Sequence, residues 1–374
     1  MIYINGLANI SPQPTLNKDS FLADVKRYQS NMLQCIEPDY SEFFKAAALR
    51  RISRVLKLGW AAAKSCLDDA GLETPDSICL GSGTGCYHNT QDFIFSVEDN
   101  EEQFVPPSPF IQSAHGSIAA QIAIQSGCKN YNMTYAHRAF SFESALLDAM
   151  MILQEGRHNN VLVGGVDEIA ERLFKTFDRI GYYKKPDTDN LKLLANQSKG
   201  TIAGEGSTFF LFERFPSEKT YAGIQAVHTF SNPQNNTVTK ETIEAFLERE
   251  SLSIEDIDLV LLGLNGDARF DSVYYDLMNT LFPENNQAYY KHLCGEYYTS
   301  TAFALWLAAI IVQHQQIPEI IRLNKMPSKA IKKILIYNQY RGVNHSLILV
   351  SKAPSTRRVA LLPSGRKDLF IRLD

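Results

Sequence analysis

A chain of 374 residues, 45% hydrophobic and 21% charged, has the composition of a globular protein and the length of two ordinary domains or one duplicated one. Its formal net charge of −4 argues against a nucleic-acid partner, and no apolar run approaches the ~20 residues that a membrane span needs. The opening MIYINGLANI lacks the basic region and long apolar core of a secretory signal, and Cys35, Cys66, Cys79, Cys86, Cys128 and Cys294 have no metal-type spacing. The expectation is a cytoplasmic protein with reduced, mostly buried thiols and no metal.

Residues 1–10 predict a first strand, closed by Ser11-Pro12 and followed by an irregular stretch. Residues 50–70 predict a helix with Ile52, Val55, Leu56, Trp60, Ala63 and Leu67 on one side and Gly71 as its stop. Residues 77–80 predict a strand that runs into Gly81-Ser82-Gly83-Thr84-Gly85. No Lys-Ser/Thr follows these glycines and no GxGxxG is present, so they read as a tight turn and not as a phosphate loop. Residues 106–125 pass from a Pro-rich loop into a helix bearing Ile118, Ile122 and Ile124.

Residues 132–136 predict a short strand. Residues 140–153 predict a buried helix through Phe142, Ala145, Leu146, Ala149, Met150 and Leu153, stopped by Gly156. Val161, Leu162 and Val163 then make a strand closed by Gly164-Gly165. A residue at the turn between such a strand and helix sits at the positive end of the helix dipole, where thiolate nucleophiles are often placed. Residues 172–200, with Tyr182, Tyr183 and Pro186, read as a long polar lid or interface loop. Gly204-Glu205-Gly206 predicts a tight turn opening the buried strand 207–213.

A second half begins near Tyr221. Strands at 222–229 and 257–264 flank a helix at 238–250, and the second strand ends at Asn265-Gly266. An apolar helix spans 296–314, and 331–352 predicts a hairpin turning at Arg341-Gly342. The two halves follow one plan, which divides the chain into 1–215, 216–352 and a basic tail at 353–374.

The layout from Tyr131 to Glu168, with its closing VGGV, resembles the nucleophile segment of the β-ketoacyl synthases. The GEG-plus-strand run at 204–213 and the GVNHSLIL run at 342–349 carry the same resemblance. It implies an α/β, thiolase-like duplicated fold with αβαβα layers. It also implies chemistry in which a cysteine thiolate carries an acyl group and two histidines assist decarboxylation and enolate stabilisation. Counting from both sides puts the family's cysteine at Ala139, within His137-Arg138-Ala139. The histidine of the HGTxT motif corresponds to Asn265, and that of the K-x-x-x-G-H motif to Glu296, with Lys291 and Gly295 kept.

No confident catalytic residue remains, and the pattern resembles the chain length factors, inactive paralogues that pair with an active ketosynthase. The resemblance implies no cofactor, an active ketosynthase as heterodimer partner, and acyl carrier protein as the source of acyl chains for a fatty acid, polyketide or aryl polyene product. Two alternatives stand beside it. One is an active 3-oxoacyl synthase, acyltransferase or thioester hydrolase rebuilt around His137 or Ser141; the other is a non-catalytic acyl-binding homodimer. His137 reads first as a neutral side chain filling the vacated pocket, and Arg138 as the partner of an acid such as Glu296. Lys291 is expected beside Glu296, and Tyr340 stands where a gating aromatic or a core ring is expected. The pairs Arg357-Arg358 and Arg366-Lys367 read as a solvated tail, or as a dock for an acidic carrier protein.

Overall fold

The computed structural model describes residues 1–354, except 17–20, 104, 106, 196–197 and 325–329; from 355 onward the basic tail lies outside the described residues. The first half contains β1 (Ile2–Ile10), β2 (Met32–Leu33), α1 (Ala46–Leu49), α2 (Arg54–Ala70), β3 (Ile78–Gly81), α3 (Tyr87–Asp99), α4 (Pro107–Ile111) and α5 (Ser117–Ser126). It continues with β4 (Asn132–Tyr135), α6 (Ser141–Glu155), β5 (Asn160–Asp167), α7 (Glu171–Arg179), β6 (Ala203–Gly204) and β7 (Gly206–Glu213). The second half contains β8 (Ala222–Ser231), α8 (Asn236–Arg249), β9 (Leu259–Leu262), α9 (Ser272–Thr280) and β10 (Asn286–Tyr289). It ends with α10 (Lys291–Cys294), α11 (Ser300–His314), β11 (Lys333–Tyr340) and β12 (Asn344–Ser351).

Ten strands form one sheet in the order β10-β9-β11-β12-β8-β1-β7-β5-β3-β4. Reading outward from the middle, each half has its first strand, then its fifth, fourth, second and third. The directions repeat as well: β7 is antiparallel to β1 and β5, and β12 to β8 and β11, while the two outer pairs of each half are parallel. Within the sheet the halves join through three residue pairs between β1 and β8, and α6 and α11 pack across both halves.

Strand alternation builds the layers. Val161, Val163, Phe210 and Phe212 join Leu259, Leu261, Ile334 and Ile336 in a central core around α6 and α11. Leu162, Phe209 and Leu211 point the other way, toward α2 and α5. Val260, Leu262, Leu335 and Leu347 point away from the centre of the second half, toward α8 and α9. Helix α11 is buried from Ser300 to Val312 because sheet lies on both sides of it, which explains a sequence apolar all round. The expected αβαβα layering is what forms.

Several local expectations are corrected. The helix expected at 50–70 begins at Arg54, because Ser53 is extended at its N-cap; Gly71 ends it in the left-handed region at φ 69°. Ile124 lies on the outer side of α5 and is exposed. The Gly164-Gly165 pair does not close a strand but lies inside β5. A Cβ at Gly164 would come 2.2 Å from the Phe209 ring, and one at Gly165 would come 2.8 Å from Ala302 of α11. Gly204 serves close approach and not a tight turn: a Cβ there would lie 2.1 Å from the Cys294 carbonyl oxygen. The segment 172–200 contains α7, whose Leu173, Phe174 and Phe177 recur at helical spacing within a charged sequence. The apolar helix expected from 296 starts at Ser300, and among the described residues α3, α9, α10 and β10 were not anticipated. No helix of the described chain is long and apolar enough to cross a membrane.

Candidate catalytic cleft

The site is built from chain crossings. Just past α10, Gly295 turns the backbone with φ 74° and passes directly against Gly204. The Glu296 amide donates to the Ile202 carbonyl at 2.8 Å, and the Gly204 amide donates to the Glu296 carbonyl at 3.0 Å. This ladder fixes the Glu296 side chain. Lys291 Nζ donates to both of its carboxylate oxygens at 2.8 and 2.7 Å, and Asn265 Nδ2 donates to Oε2 at 2.7 Å. Lys291 is fully buried. The three residues named from the histidine and lysine positions therefore meet as one bonded cluster.

Beneath them lies Asp271, which the sequence reasoning missed. It accepts the amides of Asn265 at 3.2 Å and Gly266 at 2.7 Å. Burial pushes its pKa up to about 7, against the pull of those amides and of Lys291. Glu143, also missed, stands one turn after Ala139 on α6 and is fully buried. It accepts the hydroxyls of Thr301 at 2.6 Å and Ser346 at 2.8 Å. Burial raises its pKa, opposed by these donors and by Lys291. An acid inside an otherwise apolar helical stripe was the sequence signal for it.

The turn before α6 differs from expectation. Ala139 is buried and carries no nucleophile, in a short 3-10 turn spanning Arg138–Phe140. His137 and Arg138 are both exposed, so neither fills a vacated pocket. The His137 ring stacks on Phe140 with centroids 5.4 Å apart. Arg138 does not pair with Glu296, which Lys291 already holds. Ser141 is buried, and its Oγ accepts the His137 amide at 2.9 Å, which ties the first residue of α6 to the turn before it.

A narrow, open cleft lies beside Glu296. Asn265, Glu296 and Tyr340 line it, whereas Ala139, His137, Arg138 and Ser141 do not. Phe174, Phe177, Tyr182 and Tyr183 from the α7 region form one wall. Tyr340 packs near Tyr298, with centroids 5.2 Å apart, and Arg341 lies 3.7 Å over the Tyr182 ring. The glycine-rich run after β3 closes another side. Asp167 accepts the amides of Gly83, Thr84 and Thr299, each at 2.9 Å, together with the hydroxyls of Thr84 and Thr299. With its amides so engaged by the Asp167 side chain, this loop is a closed turn and not a phosphate cradle.

Chemically the cleft has hydrogen-bond donors and four lining carboxyl groups, Asp167, Glu168, Asp267 and Glu296, but no thiol and no imidazole lining it; burial pushes the pKa of Glu168 up to about 7. Asn265 donates without exchanging a proton near neutral pH. Glu296, saturated by Lys291 and Asn265, offers an enolate no stabilising charge.

Comparison with known proteins places this geometry. The family model for the β-ketoacyl synthase N-terminal domain matches residues 11–216, more than half of the chain. A 3-oxoacyl-[acyl-carrier-protein] synthase 1 from Haemophilus influenzae is 21% identical over 198 residues, covering 50% of this chain and 48% of that protein. The match thus spans about half the length of that relative. The solved ishigamide ketosynthase/chain length factor superposes with a TM-score of 0.76 at 15% identity, over 94% of this chain and 99% of the other. A ketosynthase in complex with its chain length factor from Xenorhabdus doucetiae gives 0.72 at 14% identity, over 94% and 98%. The fold likeness runs nearly the whole chain, the sequence model covers its first half, and the chain belongs to the β-ketoacyl synthase family.

Proposed function

We propose that this chain is a catalytically degenerate ketosynthase homologue acting like a chain length factor, paired with an active ketosynthase that elongates carrier-bound acyl groups. The observation that carries the reading is the Lys291–Glu296–Asn265 cluster, bonded at 2.7 to 2.8 Å where decarboxylation would need two imidazoles. It complements itself and leaves neither a thiolate nor an imidazole where the family's chemistry would use them. Loss by decay would leave a buried charge unpaired, which costs several kcal/mol. Here the replacement residues satisfy one another, as expected of a site kept for structure.

The Haemophilus relative acts, by its name, on acyl-carrier-protein substrates, and two solved neighbours are described as ketosynthase with chain length factor. These support an acyl-carrier-protein partner and a ketosynthase partner for this chain. The rebuilt-enzyme alternative loses support because neither His137 nor Ser141 lines the cleft and His137 is exposed.

The test is reconstitution. The chain is purified alone and with the ketosynthase encoded beside it, and condensation of carrier-bound malonyl units is assayed. The expected result is no turnover alone, and a one-to-one complex whose activity or product length differs from that of the ketosynthase by itself. Condensation or thioester hydrolysis by the isolated chain would overturn the proposal. So would an acyl-loaded homodimer that ignores the ketosynthase.

A further inference from the structure

Four carboxyl groups line the cleft, and the chain itself answers three of them. Asp167 takes the amides and hydroxyls of the turn after β3 and of Thr299, and Glu296 is held by Lys291 and Asn265. Arg269 grips Asp267 through Nε at 2.9 Å and Nη2 at 2.6 Å. Glu168 is left over. It is 7% exposed, and its Oε1 has no hydrogen-bond partner among the described residues. Tyr297, also 7% exposed, lines the same cleft, and its hydroxyl is likewise unpartnered. Buried polar atoms are normally bonded, and two orphans on one cleft are an exception with a direction.

Charge gives that direction. Among the described residues, Arg54 on α2 is the one cation within 4 Å of Glu168, 3.8 Å from its Oε2. Arg54 is engaged elsewhere: Nη1 and Nη2 donate to Glu205 at 2.8 and 2.5 Å, and Nε donates to Glu37. One guanidinium therefore serves three carboxylates. The other titratable groups acting on Glu168, Asp167 on β5 and Cys86 before α3, bring no positive charge. A surplus of buried negative charge favours a cation or a proton.

Much of the remaining cleft wall is aromatic. Phe174 stacks on Tyr183 and Phe177 on Tyr182, each with centroids 4.8 Å apart, and Tyr298 and Tyr340 lie beside them. Ring faces attract cations, and this wall already holds one, the Arg341 guanidinium 3.7 Å over Tyr182 and 5.1 Å from the Phe270 centroid. A quaternary ammonium would suit the rings but has no N–H for the two orphan oxygens. A primary ammonium has three donors, enough for both.

We infer that the cleft binds a primary ammonium group, which donates to Glu168 Oε1 and to the Tyr297 hydroxyl oxygen and rests against the aromatic wall. The group arrives on a small free amine or at the end of an amine-bearing acyl thioester. The inference stands on this chain's cleft and does not need the ketosynthase partner proposed above.

The experiment is calorimetric titration of the full chain with aminohexanoyl-pantetheine, hexanoyl-pantetheine and hexylamine. The aminohexanoyl thioester is expected to bind at least tenfold more tightly than the hexanoyl one. In E168Q that preference should fall to about one. With the Glu168 pKa held up at about 7, the arriving ammonium displaces a proton, so amine affinity should rise about tenfold from pH 6 to pH 8 in wild type. Thermal melts check that E168Q is folded; should it not be, the wild-type pH slope decides by itself, and a flat slope overturns the inference. Hexylamine binding as tightly as the aminohexanoyl thioester assigns the site to free amines, and much weaker hexylamine binding assigns it to amine-bearing acyl chains; either result places the ammonium in the cleft. Equal binding of the two thioesters together with no binding of hexylamine overturns the inference, as does an amine preference that survives in E168Q. Condensation by the isolated chain would sink the functional reading and leave this site standing.

Discussion

At the scale of single residues, the site is decided by how buried charge is balanced. Lys291 is entirely enclosed, and its ammonium donates to both oxygens of Glu296. Removing one partner of such a pair strands the other, which typically costs about 3–5 kcal/mol. K291M is therefore expected to lose stability of that order in urea unfolding. K291M/E296L should lose clearly less than the sum of the two single variants. Additive losses would mean that the pair is not coupled, and the bonded cluster would lose its meaning. The same reasoning separates nucleophile from site. A139C would place a thiol at the turn before α6, yet on the reading proposed above no histidine would stand at Asn265 or Glu296. Thioester turnover by A139C alone should remain at background, and measurable condensation would show that the cleft retains an activating group.

At the scale of elements, the glycines sort into two kinds that a sequence does not distinguish. Gly71 has φ 69° with no atom within 4 Å of an added Cβ, so G71A meets only the left-handed penalty, about 1 kcal/mol. Gly204 has ordinary backbone angles but faces the Cys294 carbonyl oxygen at 2.1 Å from an added Cβ. G204A must displace backbone and is expected to cost about 3 kcal/mol, at the upper end of overpacking effects. It should also disturb Glu296, whose backbone is bonded to Gly204. Equal denaturation midpoints for the two variants would refute this distinction. The same contrast explains what could be read in advance. The helix after Ala139 and its Gly156 stop were legible because apolar residues recur at 3.6 spacing and a glycine ends them. α7 was not, because charged residues dominate its composition and hide the Leu173, Phe174 and Phe177 stripe. Motif order pointed to Asn265 and Glu296, whose side chains the structure bonds together, whereas Glu143 could not be assigned a role. Its hydroxyl donors are 158 and 203 residues away along the chain.

At the scale of the whole molecule, buried titratable groups pull stability in opposite directions with pH. Burial holds the pKa of His292, stacked on Tyr289 with centroids 4.0 Å apart, down at about 3. The unfolded chain takes up that proton near pH 6.5, so the contribution of His292 is intact above 6.5 and is lost as pH falls toward 3. Asp271 is the reverse case: its folded pKa of about 7 lies above the unfolded value near 4. Its contribution is intact below 4 and is lost as pH rises through 7. Each group changes stability by up to about 1.4 kcal/mol per pH unit inside its window. The stability of H292L relative to wild type should therefore climb as pH falls from 6.5 to 4.5. That of D271N should climb as pH rises from 4.5 to 7 and level off beyond. Chemical denaturation from pH 4.5 to 8 reads both slopes, whatever constant offset each substitution carries. The slopes also bear on function. Asp271 lies directly beneath Asn265, so a proton gained or lost there is felt by the cluster that closes the cleft. If both variants instead run parallel to wild type, neither group is buried as described. The carboxylates under Lys291 would then be solvated, and a solvated site would again be open to substrate.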